Sequence, residues 1–139
     1  MSAKKVYISG SLTRLKGDRD YRQIYEEIGR VCSEAGYDPY IPHLFCDPIQ
    51  NPEIKADVVW QKDHSEIEKA DLTIAYVGQP SLGVGAELEI ARILKKDLII
   101  WYFEGEKVSR MALGNPAIKS TIIAKDEADL YRKLASSLA

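Results

Sequence analysis

Five short runs rich in β-forming residues alternate along this chain with stretches whose apolar positions recur every three or four residues. The runs are Lys5–Ser9, Tyr37–Ile41, Leu72–Val77, Leu98–Tyr102 and a weaker Thr121–Ala124. Between them, Tyr21, Ile24, Tyr25, Ile28, Val31, Cys32 and Ala35 describe one amphipathic helix that stops at Gly36. Residues 57–69, 84–95 and 126–138 carry three more. Strands separated by helices can pair only in parallel through right-handed crossovers, which leaves helices on both faces of the sheet. The expectation is an α/β fold: a doubly wound, Rossmann- or flavodoxin-like sheet of five mostly parallel strands.

With 139 residues the chain is sized for one core, so residues 1–139 are read as one domain. A net charge of -2 gives no general attraction to nucleic acid or anionic membrane, so any anion site must be built locally from loops and helix ends. Cys32 falls in a helical pattern and Cys46 in a loop, without zinc-type spacing, and both are expected to be reduced thiols. No apolar run approaches the roughly 20 residues of a membrane span, and Met1–Lys5 leads straight into a strand. A cytoplasmic protein is expected, with neither a nucleic-acid nor a membrane partner.

Open parallel sheets bind ligands beyond the carboxyl ends of their strands, where the strand order reverses. That rule gathers Gly10–Ser11, Pro42–His43, Gly78–Gly85 and Glu104–Ser109 onto one rim. The polar stretch His43–Ala56, interrupted by Pro48 and Pro52, reads as a long loop and a candidate cover. In the third loop, Gly83 and Gly85 remove side chains where a helix is expected to begin at Val84, a place where free amides and the dipole favour an anion. The pattern is neither GxGxxG nor GxxxxGK[ST], and a plain glycine-rich turn accounts for it equally well. Glu87 is expected in the first turn of that helix, where the dipole would favour its ionised form; pairing with the dipole for stability is the plainer alternative. Glu89, two residues on, must face elsewhere. Asp63 reads as a helix carboxylate, His43 as a polar loop residue and Tyr7 as a core tyrosine, each of which also has an ordinary structural explanation.

Taken together, Val6-Tyr7-Ile8-Ser9-Gly10-Ser11, Asp63, Gln79-Pro80-Ser81-Leu82-Gly83-Val84-Gly85-Ala86-Glu87-Leu88 and Ser109-Arg110-Met111 resemble the 2'-deoxynucleoside 5'-phosphate N-hydrolases of the nucleoside 2-deoxyribosyltransferase superfamily. The resemblance spans nearly the whole chain. It implies that Glu87 is the nucleophile, that Asp63 assists and that Tyr7 helps to hold the pair. It further implies a 5'-phosphate site at Ser11, Ser81 and Ser109, with Ser109 supplied across a homodimer interface, and a substrate-side place for His43; Gly10, Gly83, Gly85 and Met111 are expected to bind substrate beside them. The arginine of the phosphate site is assigned to Arg14, with Arg19 in reserve, because the family places it two residues after the Gly-Ser turn and this chain has Leu12-Thr13-Arg14 there.

The expected reaction is hydrolysis of the N-glycosidic bond of 2'-deoxynucleoside 5'-monophosphates through a Glu87 glycosyl ester, with Asp63 as the acid and with no cofactor or metal. The alternatives are a nucleoside 2-deoxyribosyltransferase, a ribonucleotide hydrolase acting on CMP, and a nucleotide sensor without turnover. The ending Ser136-Ser137-Leu138-Ala139 lacks the asparagine and carboxylate that the transferases place in their site, which weighs against transfer.

Overall fold

The computed structural model describes residues 3–139. Its elements are β1 (Lys4–Ser9), α1 (Tyr21–Glu34), β2 (Tyr37–Tyr40), α2 (His43–Cys46), α3 (Ala56–Lys69), β3 (Leu72–Tyr76), α4 (Leu82–Ile93), β4 (Asp97–Phe103), α5 (Arg110–Leu113), β5 (Ile118–Ala124) and α6 (Glu127–Leu138). The five strands form one sheet in the order β2-β1-β3-β4-β5, and every pairing is parallel. The α/β expectation therefore holds, in its flavodoxin-like order.

The two-residue period of the strands divides the core. Val6 and Ile8 of β1 face α1 and α6, meeting Ile24, Tyr25, Ile28, Leu130 and Leu134. Tyr7 faces the opposite side, where Ile67 of α3 and Ala91 of α4 pack. Each fully buried aliphatic or aromatic side chain in these layers contributes roughly 1.5–3 kcal/mol, so the sheet is held from both faces. Helix α1 begins where Asp20 accepts a hydrogen bond from the Gln23 amide and ends before Gly36, whose φ of +92° suits glycine. Pro39 sits in β2, an edge strand, where a missing amide is tolerated.

After β1 the chain winds outward to β2 and then returns to lay β3 on the other side of β1, so the strand order reverses between β1 and β3. A crevice must open above the carboxyl ends of those two strands. It is the space between Ser9 on one side and the turn after Tyr76 on the other.

Four local expectations need correction. Strand β5 starts at Ile118, three residues before Thr121, because its pairing with β4 already begins at Leu98. Helix α4 starts at Leu82, two residues before Val84, because Ser81 caps it by accepting from the Val84 amide. It ends at Ile93, ahead of Lys95, whose φ is +59°. The stretch after β2 is not all loop: His43–Cys46 forms a helical turn, with the Phe45 and Cys46 amides donating to the Pro42 carbonyl. Among the described residues no helix is long and apolar enough to cross a membrane.

Candidate active site

The strand period that sends Val6 and Ile8 into one core layer sends Tyr7 and Ser9 to the other, directly under α4. There the Tyr7 hydroxyl donates to Glu87 Oε2, and Ser9 Oγ donates to Glu87 Oε1 at 2.9 Å. Both oxygens of one carboxylate are thus fixed by hydroxyls from a single strand, 80 and 78 residues away in sequence. Tyr7 is itself held by stacking on Tyr40, with ring centroids 5.7 Å apart. Ser9 went unnoticed in the sequence, although its place two residues after Tyr7 was a sufficient signal.

Glu87 and Asp63 line the same cavity, of about 560 Å³, together with Gly10, Leu12, Pro42, Cys46, Asn51, Val59, Trp60 and Ile90. Asp63 reaches it from α3, and its Oδ1 is buried without a hydrogen-bond partner among the described residues. Burial pushes the Glu87 carboxyl up to about 7; neighbouring Asp63 adds to the rise, and the Tyr7 and Ser9 hydroxyls oppose it. Burial likewise pushes Asp63 up to about 6, opposed by the Tyr7 hydroxyl and Lys62 and reinforced by Glu66.

This reverses the expectation that Glu87 lies in the first turn of its helix and owes an ionised state to the dipole. With α4 starting at Leu82, Glu87 falls in the second turn, and desolvation outweighs the helix end. Glu89 does face away from the Glu87 cavity: it is exposed, paired with Arg92 at 2.7 Å, and borders a larger space on the other side of the helix start.

A second, larger cavity of about 1310 Å³ lies on the other side of the Ser81–Val84 turn. Ser11, Thr13, Ser81, Gly83 and Val84 border both spaces, so the two form one cleft pinched at the start of α4. The Val84 amide is taken by Ser81 Oγ and the Gly85 amide by the Ser81 carbonyl, which leaves the Leu82 and Gly83 amides at the helix end without a partner among the described residues. An anion seated there would meet the free amides before Gly85 and not those after it. A Cβ built on Gly85 meets nothing within 4 Å, and one on Gly83 meets only Ser81 Oγ, at 3.9 Å. Neither position has a positive φ. Each glycine costs a helix about 1 kcal/mol relative to alanine, and the chain's own packing requires neither, so the bare surface they leave is the feature to be explained.

Arg14 and Arg19 both line this larger space. Arg19 is engaged elsewhere, bonded to Glu127 at 2.6 Å and lying 3.8 Å over the Phe103 ring. Arg14 is exposed and makes no ion pair among the described residues. Ser109 and Met111 line the same space, with Ser109 Oγ accepting from the Met111 amide at the start of α5. His43 stands apart from both cavities: its ring is buried beside Tyr25, and Nε2 lies 2.8 Å from Glu26. The structure therefore brings Tyr7, Asp63 and Glu87 together, gathers Gly10, Ser11, Arg14, Ser81, Gly83, Gly85, Ser109 and Met111 around the same cleft, and leaves His43 behind its wall.

No family model matches the chain. A curated protein of Methanosarcina mazei, named "Putative 2'-deoxynucleoside 5'-phosphate N-hydrolase 1", is 31% identical over 115 residues, which is 81% of this chain and 70% of the relative. A protein of the same name from Syntrophotalea carbinolica is 31% identical over 126 residues, covering 84% of this chain and 82% of its own. Among solved structures, the Clostridium botulinum CMP N-glycosidase BcmB superposes with a TM-score of 0.73 over 96% of this chain and 99% of its own, at 20% identity, which shows a shared fold. Fold, site and relatives together define a hydrolase acting on N-glycosyl compounds. The chain belongs to the 2'-deoxynucleoside 5'-phosphate N-hydrolase family.

Proposed function

We propose that this protein hydrolyses 2'-deoxynucleoside 5'-monophosphates to free base and 2-deoxyribose 5-phosphate. The observation that carries the reading is a pair of carboxyls, both pushed toward neutral pH by burial, lining one cavity that opens past a glycine-bared helix start into a second. Such a pair suits retaining sugar chemistry, in which one group must be ionised while its neighbour keeps a proton.

In this reading Glu87 attacks C1' as the bond from C1' to the base nitrogen breaks, and the bonding electrons leave with the base. Asp63 gives its proton to that departing base. A water then attacks C1', giving its proton to the Asp63 carboxylate and releasing the Glu87 carboxylate with the sugar phosphate. Tyr7 and Ser9 hold both Glu87 oxygens and so fix the attacking atom, which limits the orientational freedom lost on reaching the transition state. The fixed negative charge also stabilises the oxocarbenium-like sugar. The 5'-phosphate lies at the pinch between the cavities, against the Leu82 and Gly83 amides, Ser11, Ser81 and Arg14, and its binding energy orients C1' over Glu87.

The same reading pairs two copies of the chain, with Ser109 of one completing the phosphate end of the other. Leu82 and Met111, 97% and 87% exposed beside that end, are apolar side chains such pairing would cover.

Incubation with a panel of dNMPs, NMPs and free nucleosides, followed by chromatography for free base, tests the substrate. Base release from dNMPs, and far less from the nucleosides, is expected. Equal turnover of nucleosides, or release that needs an acceptor base, would move the enzyme to the transferases; exclusive use of NMPs would refute the deoxyribose assignment.

A further inference from the structure

The segment from Ser11 to Arg19, which carries Arg14 to the cleft, has no turn or loop main-chain hydrogen bond of its own among the described residues. Arg14 adopts φ of +57° and Gly17 of +92°, so two left-handed residues must be held in place by something else. At its start the segment is tied to α1: the Tyr25 hydroxyl donates to the Ser11 carbonyl at 2.8 Å, and Arg22 donates to the Leu12 carbonyl at 3.1 Å. At its end Arg19 is tied to Glu127. In the middle, Leu15 packs on the core, and Gln79 reaches from across the cleft to bond the main chain of Lys16.

The Gln79 amide grips Lys16 twice. Its Oε1 accepts from the Lys16 amide at 2.7 Å, and its Nε2 donates to the Lys16 carbonyl at 3.0 Å. Nε2 also donates to the Tyr21 hydroxyl at 3.0 Å, which lies 3.2 Å from the Tyr76 hydroxyl. Tyr76 in turn donates to Glu106 Oε2, and Glu106 Oε1 accepts from the Phe103 amide at 2.7 Å. A line of polar groups thus runs from the end of β4, through Tyr76 and Tyr21, to a glutamine that acts as a surrogate strand partner for Lys16. Since Gln79 is anchored two residues before the Ser81 cap, this clamp sets the distance between Arg14 on one wall and the Leu82 and Gly83 amides on the other.

Resting on the phosphate assignment above, we infer that Gln79 is a positioning residue that holds the Arg14 segment at the spacing a sugar 5'-phosphate requires, and so makes the enzyme discriminate phosphorylated from unphosphorylated substrates. Neither carboxyl of the site is touched by it, so the effect belongs to substrate grip and not to bond breaking.

The near-isosteric substitution Gln79→Met removes all three hydrogen bonds. It is expected to raise KM for dNMPs about tenfold with kcat within about threefold, and so to lower the preference for dNMP over the matching nucleoside about tenfold. Hydrogen exchange at the Lys16 amide should quicken. Tyr21→Phe, which keeps both bonds to Lys16, should shift the preference the same way by only about two- to threefold. Independently of turnover, affinity for 2-deoxyribose 5-phosphate, measured by calorimetry, should weaken about tenfold in Gln79→Met. Unchanged preference and unchanged sugar phosphate affinity, with a folded variant, would overturn the inference. So would a fall in kcat with KM unaltered. If the wild type releases no base from any dNMP, the proposed function fails, whereas the sugar phosphate affinity of the two proteins still judges the clamp.

Discussion

The two halves of the cleft solve opposite problems. Around Glu87 and Asp63 the walls are mostly apolar, and the carboxyls are desolvated enough to be pushed up to about 7 and about 6. Around Arg14, Gly83 and Ser109 the space is larger and lined by charges of both signs, with Arg14, Lys16 and Lys107 beside Asp18, Glu89 and Glu106 and with Arg19 paired to Glu127. Burial tunes proton affinity at the cost of solvation, whereas exposed side chains such as Arg14, Lys16 and Lys107 keep their charge available for grip at little desolvation cost. The contrast teaches that the chain separates a half suited to bond breaking from a half suited to holding an anion, and that the start of α4 is the partition.

If that division is right, the largest loss should come from the buried half. Glu87→Ala should lower base release by about 10⁴-fold or more while the far-ultraviolet circular dichroism spectrum stays native, and Asp63→Asn by about 10²- to 10³-fold in kcat. The larger half should respond in KM: Arg14→Ala is expected to raise KM for dNMPs by about 10- to 100-fold with a much smaller change in kcat, measured by initial rates. A kcat effect as large as that of Asp63→Asn would erase the distinction between the halves.

The carboxyl pair should also set the pH profile. Below about 6 both groups hold protons and Glu87 cannot attack; above about 7 both are ionised and Asp63 has no proton to give; between these limits the pair shares one proton, and the reactive form is the one that carries it on Asp63 and leaves Glu87 ionised. Turnover should therefore be bell-shaped with its maximum between these values, and the limbs belong to the pair as a unit. A flat profile from pH 5 to 9 would contradict the assignment.

Smaller effects should appear in stability. The folded protein holds a proton on Glu87 more tightly than the unfolded chain does, so the stability linked to that proton is complete below the ordinary glutamate range and is lost as pH rises through about 7. Glu87→Gln removes this penalty and should gain on the order of 2 kcal/mol over the wild type at pH 8, shrinking toward pH 4.5, in urea unfolding. Last, Gly85→Ala should stabilise α4 by about 0.5–1 kcal/mol, since an added Cβ meets nothing in the chain, while raising KM for dNMPs. Gained stability with unchanged KM would show that the bared surface serves neither the phosphate nor a second subunit.

Most of the fold was legible because its determinants are local: the strand runs and the helical periods of α1, α3 and α6 lie within the windows that dictate them. The start of α4 was not, because Gly83 reads as a loop residue, and its poor helix propensity is overruled by the Ser81 cap and by the packing of Val84, Leu88 and Ala91. The meeting of Tyr7, Asp63 and Glu87 came from family resemblance, since no local pattern joins residues 80 apart. The Glu87 carboxyl departs from the ionised state expected of it because a helix dipole can be inferred from sequence and the depth of burial of this side chain cannot. His43 was drawn toward the substrate by its position after β2, but its bond to Glu26 is set by how α1 packs. The grip of Gln79 on Lys16, across 63 residues, left no trace in composition or spacing.

The central proposal is that a covalent bond forms between Glu87 and the anomeric carbon. Acid quenching of the enzyme during turnover of a dNMP, followed by peptide mass mapping, reads that bond directly. A 2-deoxyribose 5-phosphate ester on the peptide containing Glu87, absent from Glu87→Ala, is the predicted result. An ester on Asp63, or steady turnover with no ester on any peptide and with activity retained in Glu87→Ala, would contradict it.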